Sequence, residues 1–286
     1  MVIKFESVSH TYHRGAPMEQ TALKNINLEI TENQFLAIVG HTGSGKSTLI
    51  QHMNALLKPT DGTVTIAGKT IKANEKAKKL KAIRQKVGLV FQFPEYQLFE
   101  ETVEKDLMFG PMNYGVSKEN AKEKAREVIK IVGLTEDILQ HSPFNLSGGQ
   151  KRRVAIAGIL AMEPDVLILD EPTAGLDPSG QKEMMQIFRD LHENHHKTII
   201  LVTHDMDLVG EYAKQMIVMH QGEIKLKGTP REVFKEVQTL TECGITRPTA
   251  TRNYERLATK FELPPETMPL TVTEFIDQVA AMIKRS

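Results

Sequence analysis

The clearest chemistry in the chain sits in one octapeptide, Gly40-His41-Thr42-Gly43-Ser44-Gly45-Lys46-Ser47. Glycines at its first, fourth and sixth places let a loop wrap with backbone N–H groups facing inward, where they bind phosphate oxygens. An apolar run at 36–39 precedes it and a helical pattern at 48–57 follows it. The loop therefore opens a helix, whose N-terminus adds positive potential. Lys46 is placed to neutralise the outer phosphates and Ser47 to give its hydroxyl to Mg²⁺. With Thr48 beginning the helix, the stretch from Gly40 to Thr48 is the expected cradle of a nucleoside triphosphate.

Three further groups end apolar runs. Residues 166–169 (Val-Leu-Ile-Leu) lead into Asp170 and Glu171, 199–202 lead to His204, and 87–91 lead to Gln92. Ligands of open parallel sheets lie beyond the carboxyl ends of the strands, so all of these groups should gather on the edge that carries the phosphate loop. Asp170 is expected to help hold Mg²⁺. Strand side chains alternate, so Glu171 is expected to point elsewhere and to orient or deprotonate the hydrolytic water. His204 would reach the γ-phosphate, and Gln92 the metal or the water.

The elements that position these groups follow from hydrophobic patterning. Short alternating runs at 3–8 and 26–30 suit half-exposed antiparallel strands. The wholly apolar runs suit strands covered on both faces and alternate with helical patterns, which predicts a parallel sheet. Residues 94–164 read as a helical subdomain inserted between two core strands. Residues 217–219 and 223–226 flank a Gln221-Gly222 turn and predict a hairpin. Lysines crowd 69–86 and read as a solvated helix face. From about 240 the character changes. Tyr254, Leu257, Ala258 and Phe261 recur at helical spacing, and Thr271 with Glu274 suggests a capping box before Phe275, Ile276 and Val279. The expected division is a main domain at 1–240 and a helical appendix at 241–286 that contacts a second subunit.

The chain has 286 residues, 40% of them hydrophobic, enough for a substantial core. Its 36 basic and 36 acidic residues balance, which argues against a dedicated nucleic-acid binder. The single cysteine, Cys243, excludes an internal disulfide framework. The first residues lack an apolar signal core, and no apolar run approaches the ~20 residues of a membrane helix. The expectation is a cytosolic chain whose membrane role comes through a partner. His192, His195 and His196 suit a solvated helix end better than a metal site.

Leu146-Ser147-Gly148-Gly149-Gln150, read with the elements above, completes a pattern. In order come the octapeptide, Gln92, this pentapeptide, Asp170-Glu171, Ala174-Gly175-Leu176-Asp177 and His204. The sequence resembles the ABC-type ATPase family. That resemblance implies an α/β P-loop NTPase (RecA-like) fold, with a mixed sheet, antiparallel N-terminal strands and the inserted helical subdomain. It also implies that Ser147, Gly148, Gly149 and Gln150 close over ATP held by a facing subunit, with Asp177 crossing the interface and Tyr12 stacking on adenine.

The segment Gln92-Phe93-Pro94-Glu95-Tyr96-Gln97-Leu98-Phe99, with Phe109 to Gly115, resembles the ATPases of energy-coupling factor (ECF) transporters, and the second of their two ATPases more than the first. This implies ATP and Mg²⁺ as cofactors, a second ATPase as dimer partner, a transmembrane coupling protein, a substrate-binding membrane protein, and a place at the cytoplasmic face of the membrane. Glu95, just past the site, is expected to pair with a base on the coupling protein's helix. Two alternatives share the catalytic residues: the ATPase of a conventional ABC transporter, and a soluble ABC protein acting on nucleic acid or the ribosome.

Overall fold

The computed structural model describes residues 2–73, 80–261 and 268–283. Strand β1 (Ile3–Tyr12) pairs antiparallel with β2 (Gln20–Ile30), and the chain then enters β3 (Phe35–Val39) and helix α1 (Lys46–Met53). Strand β4 (Asp61–Ile66) returns beside β1, and β5 (Lys69–Lys72) pairs with β4. These make a four-stranded antiparallel sheet in the order β2-β1-β4-β5.

Helix α2 (Leu80–Lys86) leads into β6 (Val87–Val90). The inserted block follows: α3 (Val103–Asn113), α4 (Lys118–Ile131) and α5 (Gly148–Leu160). The chain re-enters the core as β7 (Val166–Asp170), α6 (Pro178–Glu193), β8 (Thr198–Val202) and α7 (Met206–Tyr212). It closes with the hairpin β9 (Gln215–His220) and β10 (Glu223–Gly228), then α8 (Pro230–Val233), α9 (Val237–Glu242), α10 (Thr249–Phe261) and α11 (Val272–Ile283).

The second sheet runs β10-β9-β3-β8-β7-β6, parallel except for β10. Strand β3 shows why its sequence is apolar throughout. Phe35, Ala37 and Val39 face one core with α3 to α7, while Leu36 and Ile38 face a second core with α1 and the antiparallel sheet. Both faces are covered, so no position can be polar. Because β6 and β7 are neighbours, the whole α3–α5 block is an excursion between adjacent strands. The parallel register sends the ends of β3, β6, β7 and β8 to one edge, as the sequence predicted.

Two expectations need correction. The lysine-rich stretch is not one helix face. Lys69 to Lys72 form an edge strand of which only Ile71 is buried, and helical structure resumes at Leu80; part of the stretch lies outside the described residues. The C-terminal segment is also less separate than its composition suggests. Leu240, Cys243 and Leu270 belong to the main core, and Tyr254 is buried. The Asp207 carboxylate on α7 accepts from the Thr249 backbone N–H at 2.6 Å and from its hydroxyl at 2.8 Å. Thr251 donates to the Pro269 carbonyl at 2.6 Å. Thr271 caps α11 by accepting from Glu274 N–H at 3.1 Å, but Glu274 turns back to Leu270 N–H, so the box closes one residue early. The side chain of Phe261 lies outside the described residues. Val272 and Ile276 of α11 remain 61% and 57% exposed.

Candidate active site

The phosphate loop is fixed from behind by close backbone approaches. A methyl group at Gly40 would lie 2.4 Å from the Met219 carbonyl oxygen, and one at Gly45 (φ 102°) would lie 2.5 Å from that of Ala22. Only glycine fits either place. No side chain caps α1 and no acid stands in its first turn, so its N–H dipoles stay open to an anion. The Lys46 ammonium folds back on the loop and donates to the carbonyls of Gly40 (2.6 Å) and His41 (3.0 Å). Burial pushes its pKa down, against the opposing charges of Glu171 and Asp170. A ligand with anionic oxygens would relieve that desolvation.

A cleft of about 630 Å³ opens in front of the loop. Thr42, Gly43, Gly45, Lys46, Ser47 and Thr48 line it, with Tyr12, Gln92, Asp170, Glu171 and His204. The structure thus brings together the groups predicted from four strand ends. Gly40 and Ser44 are buried behind the loop, and His41 lies outside the cleft lining, edge-on to the His220 ring at 5.2 Å. The Tyr12 hydroxyl lies 3.1 Å from the Thr48 hydroxyl, and its ring stands edge-on to His10 at 4.6 Å.

Glu171 does not point away from Asp170, contrary to strand alternation. Its φ of 49° ends the strand and turns the chain, so both carboxylates line the same cleft. Burial raises the Asp170 pKa, the Glu171 charge raises it further, and Lys46 opposes them. Glu171 Oε1 accepts from His204 Nδ1 at 2.9 Å. An ionised carboxylate can only accept, so the Nδ1 carries the proton and Nε2 is left for another partner. The His204 ring is 80% exposed, and among the described residues Glu171 is its one hydrogen-bond partner. The donor set suits a hard cation: a hydroxyl (Ser47), an amide oxygen (Gln92) and a half-buried carboxylate whose pKa is raised by desolvation (Asp170).

The wall formed by Gln20, Thr21, Ala22 and Lys24 of β2 and by Gln221-Gly222 was not foreseen. Gly222 N–H donates to the Ser44 carbonyl at 3.0 Å and Lys24 N–H to the Gly222 carbonyl at 2.8 Å. The turn was legible as a hairpin, but nothing in its spacing tied it to the loop.

The pentapeptide is elsewhere. Ser147 caps α5, its Oγ accepting from Gln150 N–H at 3.3 Å while Gln150 Oε1 accepts from Ser147 N–H at 3.0 Å. Ser147, Gly148, Gly149 and Gln150 are all exposed, and none lines the cleft. A methyl group at Gly148 or Gly149 would meet nothing within 4 Å. Among the described residues, nothing requires glycine there. Asp177 caps α6 by accepting from Gly180 N–H at 2.9 Å.

Glu95 is not free to receive a partner's base. Both of its oxygens accept from Arg152, at 3.1 Å from Nε and 3.0 Å from Nη2. The two residues are 57 apart in sequence, which hid the pairing.

Comparison with known proteins adds independent findings. The ABC transporter family model matches residues 23–174. A relative from Enterococcus faecalis, named energy-coupling factor transporter ATP-binding protein EcfA2, is 57% identical over 280 residues, covering 98% of this chain and 96% of its own. The protein of the same name from Geobacillus kaustophilus is 50% identical over 285 residues, covering 100% and 98%. Among solved structures, cbiO1 from Clostridium perfringens, described as part of the ABC transporter complex cbiONQ, superposes with a TM-score of 0.74 at 36% identity, over 92% of this chain and 99% of that one. A dimeric ATP-binding cassette in a post-hydrolysis state, with ADP and phosphate bound, gives a TM-score of 0.70 at 34% identity, over 79% and 98%.

Proposed function

This chain belongs to the ABC transporter family, and we propose that it is the ATP-hydrolysing subunit of an energy-coupling factor importer, energising uptake of a vitamin or other micronutrient. One observation carries the reading furthest. The cleft gathers the phosphate loop, two carboxylates and His204, whereas the turn at 147–150 faces solvent with glycines that no contact among the described residues explains. A second ATPase subunit supplies the missing half of each site. Its phosphate loop holds the nucleotide that this turn covers, and its own turn covers the cleft described here, with Asp177 close to the seam.

Within the cleft, the loop N–H groups and Lys46 bind the triphosphate, and Tyr12 lies against the base. Ser47, Gln92 and Asp170 hold Mg²⁺, which when bound screens the phosphate charge. Glu171 orients the attacking water and draws its proton, while His204, held in one tautomer by Glu171, turns Nε2 toward the γ-phosphate. The partner ATPase is a related but different chain, so the pair is a heterodimer. A transmembrane coupling protein sits above it, and a separate membrane protein binds the substrate. The chain works at the cytoplasmic face.

The groove between residues 97–99 and helices α3 and α5 takes a short helix of the coupling protein. It is lined by Leu98, Phe99, Phe109, Val154 and Met162, with Phe99 and Phe109 exposed at its mouth. The exposed apolar face of α11 contacts the second ATPase. Purification from native membranes in mild detergent tests this. The expected result is co-elution with a second ATPase and two membrane proteins, and ATP hydrolysis by the assembly. A chain that elutes alone and hydrolyses ATP as a monomer sinks the proposal.

A further inference from the structure

Arg152 is 2% exposed, a guanidinium taken almost wholly out of water. It lies one turn into α5 from Gly148. Its N–H groups are spent on two other segments. Nε and Nη2 grip the Glu95 carboxylate side by side, while Nη1 donates to the carbonyls of Pro172 (3.3 Å) and Ala174 (2.7 Å). Its flat face lies 5.6 Å from the centre of the Phe93 ring. One side chain thus ties the stretch just after Gln92, the helix that begins at Ser147, and the turn just after Glu171.

A buried ion pair is a poor way to add stability, because desolvating two charges offsets most of their attraction. What it does supply is direction. A planar fork with fixed acceptors specifies one mutual placement of the three segments, which apolar packing would leave looser. None of Arg152, Glu95, Pro172 or Ala174 lines the nucleotide cleft, so the arrangement does not serve ATP binding directly. Each tied segment instead adjoins a working part. Glu95 stands on the short helical turn Pro94–Gln97, whose last residue, Gln97, lines the apolar groove. Pro172 follows the carboxylate that orients water.

We infer that Arg152 and Glu95 are a positioning pair that links the rim of the membrane-partner groove to the Glu171 turn and the Ser147 turn, so that the three move as one body. The inference rests on the functional reading above. A shift imposed on the rim then reaches the water-orienting carboxylate without passing through the nucleotide.

The test uses the assembled complex in detergent, with ATP as the varied substrate, comparing wild type, Glu95→Gln, Arg152→Lys and the double variant. Glu95→Gln keeps shape and removes charge; Arg152→Lys keeps charge and cannot reach three acceptors at once. The expected result is KM for ATP within about twofold of wild type and kcat lower by about tenfold or more, as misplacement of a distant support can cause. The double variant should be no worse than the poorer single one, because both break one unit. Unchanged kcat in both single variants overturns the link. So does a rise in KM with kcat kept, which would make the pair a support for the nucleotide cleft alone. A wild-type assembly that hydrolyses no ATP defeats the functional reading, and the link with it.

Discussion

A methyl group has nowhere to go at Gly40 and open space at Gly149. The two glycines therefore answer to different demands, and substitution separates them. Gly40→Ala forces a backbone oxygen aside and should destabilise the chain by about 1–3 kcal/mol. Gly149→Ala, inside the first turn of α5, should leave the fold as stable or stabilise it by up to about 1 kcal/mol. The same change should lower turnover of the assembly by about 100-fold, because the added methyl group holds the facing phosphate away from the backbone N–H donors, with the order of effect expected when such a donor is put out of reach. Thermal melting beside steady-state hydrolysis checks both. A Gly149→Ala protein that melts early would place the reason for that glycine inside its own chain. At this scale the sequence was informative where chemistry demands fixed spacing, as in the octapeptide. It was silent where the chain turns unexpectedly, as at Glu171, and where partners lie far apart, as with Glu95 and Arg152.

Helix α1 does more than present a loop. It packs His52 into the core between the helix and β1, where the ring meets His10 edge-on at 4.7 Å and bonds the Thr48 carbonyl at 2.7 Å. Burial pushes the His52 pKa from 6.5 down to about 4, with the nearby His10 adding to the fall and the Thr48 bond opposing it. The folded state thus holds His52 neutral while the unfolded chain takes up a proton first as pH drops. The contribution to stability is whole above pH 6.5 and is lost as pH falls from 6.5 toward 4, about 3 kcal/mol in all at ~1.4 kcal/mol per unit. His52→Leu should flatten the pH dependence of the melting temperature across that window. A wild-type slope that the substitution leaves intact would assign the loss to other groups. Among the elements, strands covered on both faces announced themselves because burial permits only apolar residues. Strands β4 and β5 did not, since β5 buries a single side chain among lysines and reads as solvated surface. The C-terminal helices were legible by spacing, but their docking on α7 through Asp207 and Thr249 depends on a contact 42 residues apart.

On the function proposed above, the whole molecule is organised around an incomplete site. Four parallel strands bring the phosphate loop, Gln92, Asp170, Glu171 and His204 to one edge, and the α3–α5 excursion carries the exposed Ser147 turn, which lines no part of that cleft. The proposed division rests on the order of motifs, because a single phosphate loop and a single Ser-Gly-Gly turn on one chain imply a facing partner once the family is known. How the excursion is braced to the sheet was not readable, because the brace is one buried guanidinium shared by three segments.

The central claim is that the Ser147 turn closes over a nucleotide held by the facing subunit. Its most direct measurement is the rate of thiol labelling of a Ser147→Cys variant in the assembled ATPase pair, with Glu171→Gln and the equivalent change in the facing subunit added to block turnover at both sites. The native Cys243 is buried and gives a low background. The account expects rapid labelling without nucleotide or with ADP, and protection once ATP and Mg²⁺ are bound. Labelling at the same rate with the nucleotide site saturated by ATP would contradict it.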